Sequence, residues 1–398
     1  MIKRYTAIAL LAAMMLTLAA CGEKPAKPNG SYGEVSFEGA AHDVSVLFVN
    51  VGKADAAIVN VDGHFWLIDT GTEESSPNLL AALSCMGAGS IDGVILTHGH
   101  SDHIGGLYNI SQSRKISTVI IPSLLLDRSD IEDVTISSSL TGSTVKAGDI
   151  IPVVNGVCFE VLAPTSQDGK NDNDNSLVVM LKVNGRSFLF TGDMQTAEDG
   201  KLVQSGKDIK CDVLKVPNHG NPDAVSEAFA KAADPLVAVI STDTSVDADS
   251  ANEAVKSKLS GADIFLTQDH DIGVLVTVSK KGALSVSFPE RPAPTLTGIG
   301  LSSVSKSTQS FSIVNGGAAQ ADLTGCFVYS TKGSEIFFFP TGMMVPAGAS
   351  MLVACRKSSL ADSADFVWSE KKAWAESKED WAVLYDRYGN ELARMISE

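Results

Sequence analysis

Cysteine pairs spaced for metal binding are missing from this chain. It has six cysteines among 398 residues, and no two of them form a Cys-x-x-Cys pair. This spacing argues against a zinc knuckle. Cys85, Cys158 and Cys211 lie in apolar stretches typical of small core residues. Cys326 and Cys355 share the last part of the chain, and the sequence leaves open whether they pair.

Positive charge and long hydrophobic runs are also scarce. The formal net charge is −16 at pH 7. An acidic surface argues against tight, non-specific binding of duplex DNA, although bound metal ions could supply positive charge at a phosphate. Beyond the first twenty residues, no apolar run reaches the roughly 20 residues of a transmembrane helix. The composition therefore predicts a mainly globular protein.

The N-terminal segment has the pattern of a targeting signal. Lys3 and Arg4 precede an apolar stretch over 7–20, which ends in Leu-Ala-Ala before Cys21. This ending resembles a bacterial lipobox, which implies cleavage before Cys21 and a lipid on its sulfur. The alternative is an ordinary secretory signal with a chance cysteine. We predict a signal peptide over 1–20, a flexible tether over 21–42, and a membrane lipid anchor on the extracytoplasmic face.

The phrase His-Gly-His-Ser-Asp-His over 98–103 is the most informative stretch of the sequence. It follows an apolar run of strand character over 93–97. Imidazole and carboxylate are ligands that suit zinc, manganese and iron. The spacing lets His98 and His100 face one ion, while Asp102 and His103 turn toward a second. The alternative is a polar loop whose histidines are only solvated.

This phrase resembles the metal-binding signature of the metallo-β-lactamase fold. That resemblance implies an α/β domain, an αββα sandwich with one or two metals at the edge of its two sheets. The ComEC-type competence proteins are the more specific likeness. Their phrases "DVGQGDA", "LIDTG" and "LKVPHHGS" correspond to segments 50–56, 67–71 and 214–221 here. We expect this hydrolase domain to span 43–288.

The resemblance also assigns roles to individual residues. It implies that His98 and His100 hold one ion, and that Asp193, in a Thr-Gly-Asp turn, bridges to the other. The second ion would be held by the side chains of Asp102, His103 and His219. Catalytic roles fall to Asp102, or a nearby carboxylate, in proton handling and to Asp193 through the bridged ions. Zinc is the first choice of metal and manganese the second.

Four further residues are expected to support the metal ligands from behind. They are Asp69, Asn175, Lys215 and Asn218. Asp69 ends a strand, and we expect it to hydrogen-bond the metal-binding loop rather than a metal. An exposed turn aspartate is the alternative reading.

Apart from Asn50, Lys53 and Ala54 in the opening phrase, where Asp55 is kept, the sequence departs from the family pattern in two places. No histidine occurs between Ile104 and Ser187, where many members of the fold have another ligand. An asparagine-rich phrase stands there instead, and Asn173, Asp174, Asn175 or water could fill the position. A solvated loop is an equally open reading of this phrase. In the second departure, Asn218 and Asn221 replace a family histidine and serine.

The last part of the chain has a different pattern. A proline-rich stretch over 289–304 predicts a linker. From 305 to 398, short strand patterns alternate with turn signals, which predicts an all-β sandwich. Its phrases resemble the lamin-tail domain, an immunoglobulin-like sandwich. We identify no catalytic set there, and its partner is unknown.

These observations predict a metal-dependent hydrolase. The ComEC likeness implies a phosphodiesterase, most simply a nuclease acting transiently on DNA outside the membrane. Two alternatives stay open. One is hydrolysis of another ester, such as a choline phosphate of the cell envelope or a lactone. The other is a non-catalytic binding protein with a degraded metal site.

Overall fold

The computed structural model describes residues 30–398. Cys21 and the predicted signal peptide therefore lie outside the described residues. The first and larger part of the described chain has two facing sheets with helices on both outer sides. A smaller β-rich part follows.

The bounds of the strands in residues 30–288 are as follows. In chain order they are β1 (Ser31–Tyr32), β2 (Val44–Val49), β3 (Ala57–Val61), β4 (His64–Ile68), β5 (Ser90–Ile91), β6 (Gly93–Ile95), β7 (Lys115–Ile116), β8 (Val119–Pro122), β9 (Gly142–Val145), β10 (Ile150–Val154), β11 (Val157–Ala163), β12 (Val178–Val183), β13 (Arg186–Phe190), β14 (Val213–Lys215), β15 (Val237–Ile240), β16 (Asp263–Leu266), β17 (Gly273–Val278) and β18 (Leu284–Ser287).

The helices are short and lie between these strands. They are α1 (Ser76–Cys85), α2 (Ser101–Ile104), α3 (Leu107–Ser113), α4 (Ser129–Ser137), α5 (Thr196–Gln204), α6 (Glu227–Ala233) and α7 (Glu253–Lys258). Short 3₁₀ turns span Asn173–Asn175, Asn218–Gly220, Thr267–Asp269 and Ala361–Ser363.

Most strands of this part form two large sheets, whereas β5 and β7 form a separate two-stranded sheet. The first has the order β1-β18-β17-β2-β3-β4-β6-β8-β9, and the second has the order β10-β11-β12-β13-β14-β15-β16. β4, β6 and β8 run parallel in the first sheet, and β13 to β16 run parallel in the second. Parallel strands place their carboxyl ends at one edge, where ligands bind in folds of this type.

Successive side chains along the strands point alternately to the two faces of each sheet, which explains the layered arrangement of sheets and helices. In β2, Val46 and Phe48 pack between the sheets with Phe190, whereas Leu47 and Val49 pack under the outer helices. Successive strand side chains point to opposite faces, so a strand buried on both faces reads as a continuous apolar run. A third cluster packs α5, α6 and α7 on the second sheet. The result is an αββα arrangement.

The predicted tether extends too far into the ordered chain. Ser31 and Tyr32 pair with β18, and the buried guanidinium of Arg186 donates to the Gly33 carbonyl. Val35 donates a backbone hydrogen bond to the Lys281 carbonyl at 3.2 Å. Residues 30–42 therefore lie along the sheet edge, because β18 offers them an unpaired strand.

The remaining strands form the β-rich C-terminal part. They are β19 (Ile299–Ser305), β20 (Ser310–Asn315), β21 (Ala321–Asp322), β22 (Phe327–Ser330), β23 (Ile336–Phe338), β24 (Met344–Val345), β25 (Ser350–Cys355), β26 (Phe366–Trp368), β27 (Trp381–Tyr385) and β28 (Glu391–Ile396). Sheets of order β19-β20-β25-β26 and β23-β22-β27-β28 share one apolar core that includes Phe311, Trp368 and Trp374. Cys326 and Cys355 are buried in this core as free thiols.

The predicted linker over 289–304 is too long. β19 begins at Ile299, and Ile299, Leu301 and Val304 are buried in the C-terminal core. Their near-alternating apolar pattern is that of a half-buried strand, which the proline-based boundary missed. The C-terminal part therefore begins close to Gly298.

The two parts share a hydrophobic cluster. Phe327, Tyr329 and Ile336 of the C-terminal part pack with the core beneath α1 and α3. Asn109 on α3 donates to the Ser334 carbonyl at 3.2 Å, and Tyr108 donates to Glu370 at 2.9 Å. The helix that follows the metal-binding phrase is thus packed against the C-terminal sandwich.

Within residues 30–398, no helix is long and apolar enough to span a bilayer.

Candidate metal centre

Strand ends from both sheets deliver the polar side chains of the site. Asp69 follows β4, His98 follows β6, Asp193 follows β13 and His219 follows β14. Each strand is held by its buried neighbours, so these side chains meet at one edge of the sandwich. Asp102 and His103 come from α2, which begins directly after the β6 loop.

Four of the predicted ligands form one cluster. Asp102, His103, Asp193 and His219 each offer a ligand atom within 4.8 Å of all the others. His103 Nε2 lies 3.3 Å from Asp193 Oδ2, and His219 Nε2 lies 3.4 Å from the same oxygen. His219 Nε2 is also 3.3 Å from Asp102 Oδ2. Asp193 therefore lies between the two imidazoles.

Unpartnered atoms show that this cluster fits a cation. His103 Nε2, His219 Nε2 and Asp193 Oδ1 are buried and have no hydrogen-bond partner. A buried polar group without a partner costs free energy. Two imidazole nitrogens and a carboxylate aimed at one point are the donor set of a zinc or manganese site.

The Nδ1 atoms of His103 and His219 already have hydrogen-bond partners outside the cluster. His103 Nδ1 lies 2.8 Å from Asp69 Oδ2, and His219 Nδ1 donates to the Ser241 carbonyl at 2.9 Å. Because Nδ1 carries the proton in these contacts, each Nε2 is left to face the cluster. Asp69 also accepts hydrogen bonds from the Thr97 amide and hydroxyl at 2.7 and 2.8 Å. It thus binds the metal-binding loop.

His98 and His100 form a separate pair. His98 Nε2 and His100 Nδ1 lie 3.0 Å apart, with His98 buried and His100 exposed. Among residues 30–398, no third His, Cys, Asp or Glu completes a three-ligand set with this pair. The two rings are close enough to share an ion, but only two protein ligands are in place. The structure thus shows the four-residue cluster beside this incomplete pair, and Asp55, Asp69 and His103 form a further set of three neighbouring ligand atoms.

Asp55 was not among the residues assigned to the site, yet it lies against the cluster. It is buried and forms an ion pair with buried Lys215. Its carboxylate also lies 3.7 Å from His103 Nδ1 and 3.8 Å from His219 Nδ1. Lys215 in turn donates to the Gly192 carbonyl at 3.1 Å and lies 3.8 Å from Asp193 Oδ1. The sequence signal was present, because Asp55 is retained from the competence-protein phrase.

The loop carrying His219 has an unusual backbone. Asn218, His219 and Gly220 have φ angles of 43°, 50° and 71°. Residues other than glycine rarely adopt this left-handed backbone region. Such backbone strain persists only where neighbouring contacts enforce it. Ala251 and Asn252 supply those contacts by donating to the His219 and Gly220 carbonyls at 2.9 Å.

Electrostatics divides the imidazoles into two classes. Burial lowers the pKa of His98 well below its usual value, so His98 is neutral. Burial also opposes the charging of His103 and His219, but Asp193 outweighs it. The pKa of His103 is raised well above its usual value, and that of His219 is raised to about 9. The positive rings in turn hold the pKa of Asp193 well below its usual value, against the effect of burial.

Comparison with known proteins identifies the superfamily of the domain that holds this site. Residues 49–244 match the model of the metallo-beta-lactamase superfamily. These residues form a metallo-beta-lactamase superfamily domain. The match confirms the predicted fold class, and a β-rich region follows the domain as predicted.

Two curated relatives share part of this chain, and one of them is named as a competence protein. The chain is 31% identical to ComE operon protein 3 of Bacillus subtilis over 166 residues, covering 41% of this chain and 21% of the relative. It is 25% identical to competence protein ComA of Neisseria gonorrhoeae over 274 residues, covering 67% of this chain and 38% of the relative. The chain thus spans well under half the length of either protein.

Solved structures give a weaker likeness. The metallo-beta-lactamase fold protein YhfI from Bacillus subtilis is 14% identical with a TM-score of 0.41, covering 59% of this chain and 99% of that one. Zn²⁺-bound PqqB from Methylobacterium extorquens is 14% identical with a TM-score of 0.38, covering 58% and 99%.

The asparagine-rich phrase of the metallo-beta-lactamase domain organises a loop. Asn175 is buried, accepts from the Asp168 amide at 2.6 Å and donates to Asp172 at 2.9 Å. Asp174 accepts from the Gln195 amide at 2.9 Å, at the start of α5. Neither side chain contacts the metal cluster. The prediction that Asn175 supports a ligand directly is therefore wrong, because its amide closes its own loop.

Asn218 likewise faces away from the cluster. Its side-chain amide donates to Asp223 at 3.0 Å. The support it gives to the metal cluster is through the backbone, since it precedes His219 in the left-handed turn. Ser176 makes the contact not anticipated from sequence, since its hydroxyl accepts from the Asp193 amide at 3.1 Å.

Proposed function

We propose that this chain is a metal-dependent phosphodiesterase that cleaves single-stranded DNA outside the cytoplasmic membrane. The observation that carries this proposal is the cluster of Asp102, His103, Asp193 and His219 with its unpartnered buried atoms. The resemblance to ComEC-type competence proteins, together with the relative named as competence protein ComA, favours DNA among phosphodiesters. Zinc or manganese would be held by these four side chains, and the family resemblance would place a second ion at the His98 and His100 pair.

Each side chain has a distinct task in this reaction. When bound, a divalent ion supplies Lewis-acid polarisation and lowers the pKa of the attacking water. Asp69 and the Ser241 carbonyl orient the two imidazoles through Nδ1. Asp102 is only partly exposed, and contacts with His219 and His103 hold its pKa far below its usual value despite burial. It therefore stays ionised and can accept a proton only transiently, at the mouth of the site.

A second candidate is hydrolysis of a choline-phosphate ester. A cleft of about 510 Å³ adjoins the metal-binding phrase at Gly99 and Ser101. Its lining includes the carboxylates of Glu73, Asp130 and Asp133. Negative charge beside a metal centre favours a substrate with a cationic group over a polyanion.

One experiment separates these readings. Purified protein would be supplied with Zn²⁺ or Mn²⁺ and given single-stranded DNA, a choline-phosphate ester and a lactone. We expect metal-dependent cleavage of DNA that is lost in His98→Ala and Asp193→Ala. Asp362→Ala, at an exposed carboxylate of the C-terminal part, is the matched control. Cleavage of the choline ester or the lactone with all DNA left intact would exclude the nuclease. Absence of bound metal would favour a non-catalytic binding protein.

The cellular location and the C-terminal part complete the proposal. We propose a lipid on Cys21 as the membrane anchor and a lamin-tail domain of unknown partner at the C-terminus. Replacing Cys21 by Ser should release the protein from the membrane fraction, because the preceding apolar run is too short to anchor it. Retention of the processed variant in the membrane would contradict the lipid anchor.

A further inference from the structure

We propose that Lys53 binds an anionic oxygen of the substrate at the mouth of the metal centre. This inference deepens the phosphodiesterase proposal and rests on it for the identity of the anion. Lys53 Nζ donates to Asp102 Oδ2 at 3.2 Å, and Asp102 is one of the four clustered ligands. A mobile cation therefore ends beside the point where a reacting group would be held.

The loop that carries Lys53 is fixed to the site. The Asp55 amide donates to the Asp102 carbonyl at 3.0 Å, and the Gly71 amide donates to the Asp55 carbonyl at 2.8 Å. Ala54, between Lys53 and Asp55, is fully buried. The backbone of Lys53 is thus held against α2, and only its side chain can change partner.

Exposure distinguishes Lys53 from the other lysine at the site. Among the ion pairs of residues 30–398, those that join a lysine to a clustered ligand involve Lys53 and Lys215. The Lys215 side chain is 6% exposed and is paired with Asp55 and the Gly192 carbonyl. The Lys53 side chain is 27% exposed, and its contact, the Asp102 carboxylate, is 20% exposed. Of these two lysines, only Lys53 is therefore accessible to solvent and to a ligand that enters the site.

The charge balance between Lys53 and Asp102 explains how Lys53 could bind an anion. A metal ion on Asp102 would neutralise the carboxylate that now attracts the ammonium group. An ammonium on a flexible four-carbon stem can then turn to a phosphate oxygen, to which charge-assisted hydrogen bonds are strong. The competence-protein phrase has glutamine at the matching position. Lys53 is therefore a feature of this chain rather than of the resemblance.

Binding of inorganic phosphate to the metal-loaded protein tests this inference directly. Titration calorimetry would compare wild type, Lys53→Gln and Lys53→Arg, with bound metal measured in the same samples. We expect Lys53→Gln to weaken phosphate binding about tenfold, a typical effect of losing one charge-assisted contact, and Lys53→Arg to retain most of it. Metal content should be the same in all three proteins.

The matched control is Lys115→Gln, which removes the same charge from an exposed lysine in β7. Unchanged phosphate affinity in Lys53→Gln would overturn the inference, as would wild-type protein that binds no phosphate. Loss of metal from Lys53→Gln would also overturn it, because Lys53 would then only support Asp102. Lys53-dependent phosphate binding without cleavage of any phosphodiester would keep the anion site and exclude the phosphodiesterase.

Discussion

Asp69 and His103 are joined through a buried contact of 2.8 Å between Oδ2 and Nδ1. Asp69 directly follows β4 of the first sheet, and His103 lies in α2, at the end of the metal-binding phrase. The contact directs His103 Nε2 toward Asp193 on the second sheet. One carboxylate that need not touch a metal thus sets the orientation of a ligand.

Removing this contact should weaken metal binding without removing any ligand. We expect Asp69→Asn to lower metal affinity about 10- to 100-fold, the usual effect of losing such a partner. The amide oxygen can still accept from the Thr97 backbone, so Asp69→Asn should unfold at a higher temperature than Asp69→Ala. Competition with a chromophoric chelator would measure the affinity. Wild-type affinity in Asp69→Asn would show that the contact does not position His103.

Asp193 and His219 should differ in their effect on metal stoichiometry. Asp193 lies within 3.4 Å of both clustered imidazoles, and the family resemblance makes it the residue that both ions share. Asp193→Ala should therefore lose both ions or keep weak single occupancy. His219→Ala should spare the His98 and His100 pair more than the cluster. Elemental analysis after purification with excess metal checks this order. Wild-type protein without metal under those conditions would refute the assignment of the site.

Stability of the metal-free protein should fall as pH rises from about 6.5 to about 9. The folded state raises the pKa of His219 from 6.5 to about 9, so it holds a proton that the unfolded chain has released. This stabilisation is complete below 6.5 and is lost as pH passes about 9. Thermal unfolding across this range would measure it, and His219→Gln should flatten the profile.

Metal binding should show the opposite trend over the same range. A metal ion must displace the proton from His219 and from His103, so its apparent affinity should increase with pH. Proton release on metal binding, measured in buffers of different ionisation enthalpy, provides the check. Binding that releases no protons at pH 7 would contradict the raised pKa values.

Glu335 gives the contact between the two parts its own pH dependence. Burial, together with Glu73 and Glu370, raises the pKa of Glu335 from 4.5 to about 7. The folded state therefore holds this proton more tightly than the unfolded chain, and stability should fall as pH rises from 4.5 to about 7. Glu335→Gln should raise the unfolding temperature at pH 8, whereas the exposed control Glu38→Gln should not. Equal effects of the two variants would assign the change to net charge.

The local sequence determined the elements that carry the site. Apolar runs of strand length followed by polar turns predicted the ends of β6, β13 and β14, and the phrase over 98–103 indicated a metal. These signals are readable because strand burial and ligand chemistry both constrain neighbouring residues. The four clustered ligands were all named on that basis, although the roles of Asp193 and His219 required the family resemblance.

Only the tertiary structure decided how distant residues pair. Asp55 and Lys215 are separated by 160 positions, which β-sheet packing brings into one buried ion pair. The amide of Asn175 closes its own loop, and the start of β1 covers a strand edge, because each satisfies a neighbour that no local pattern reveals. Hydrogen bonding and burial depend on the assembled sheets, so sequence types alone could name candidate ligands but could not assign the partners of each one.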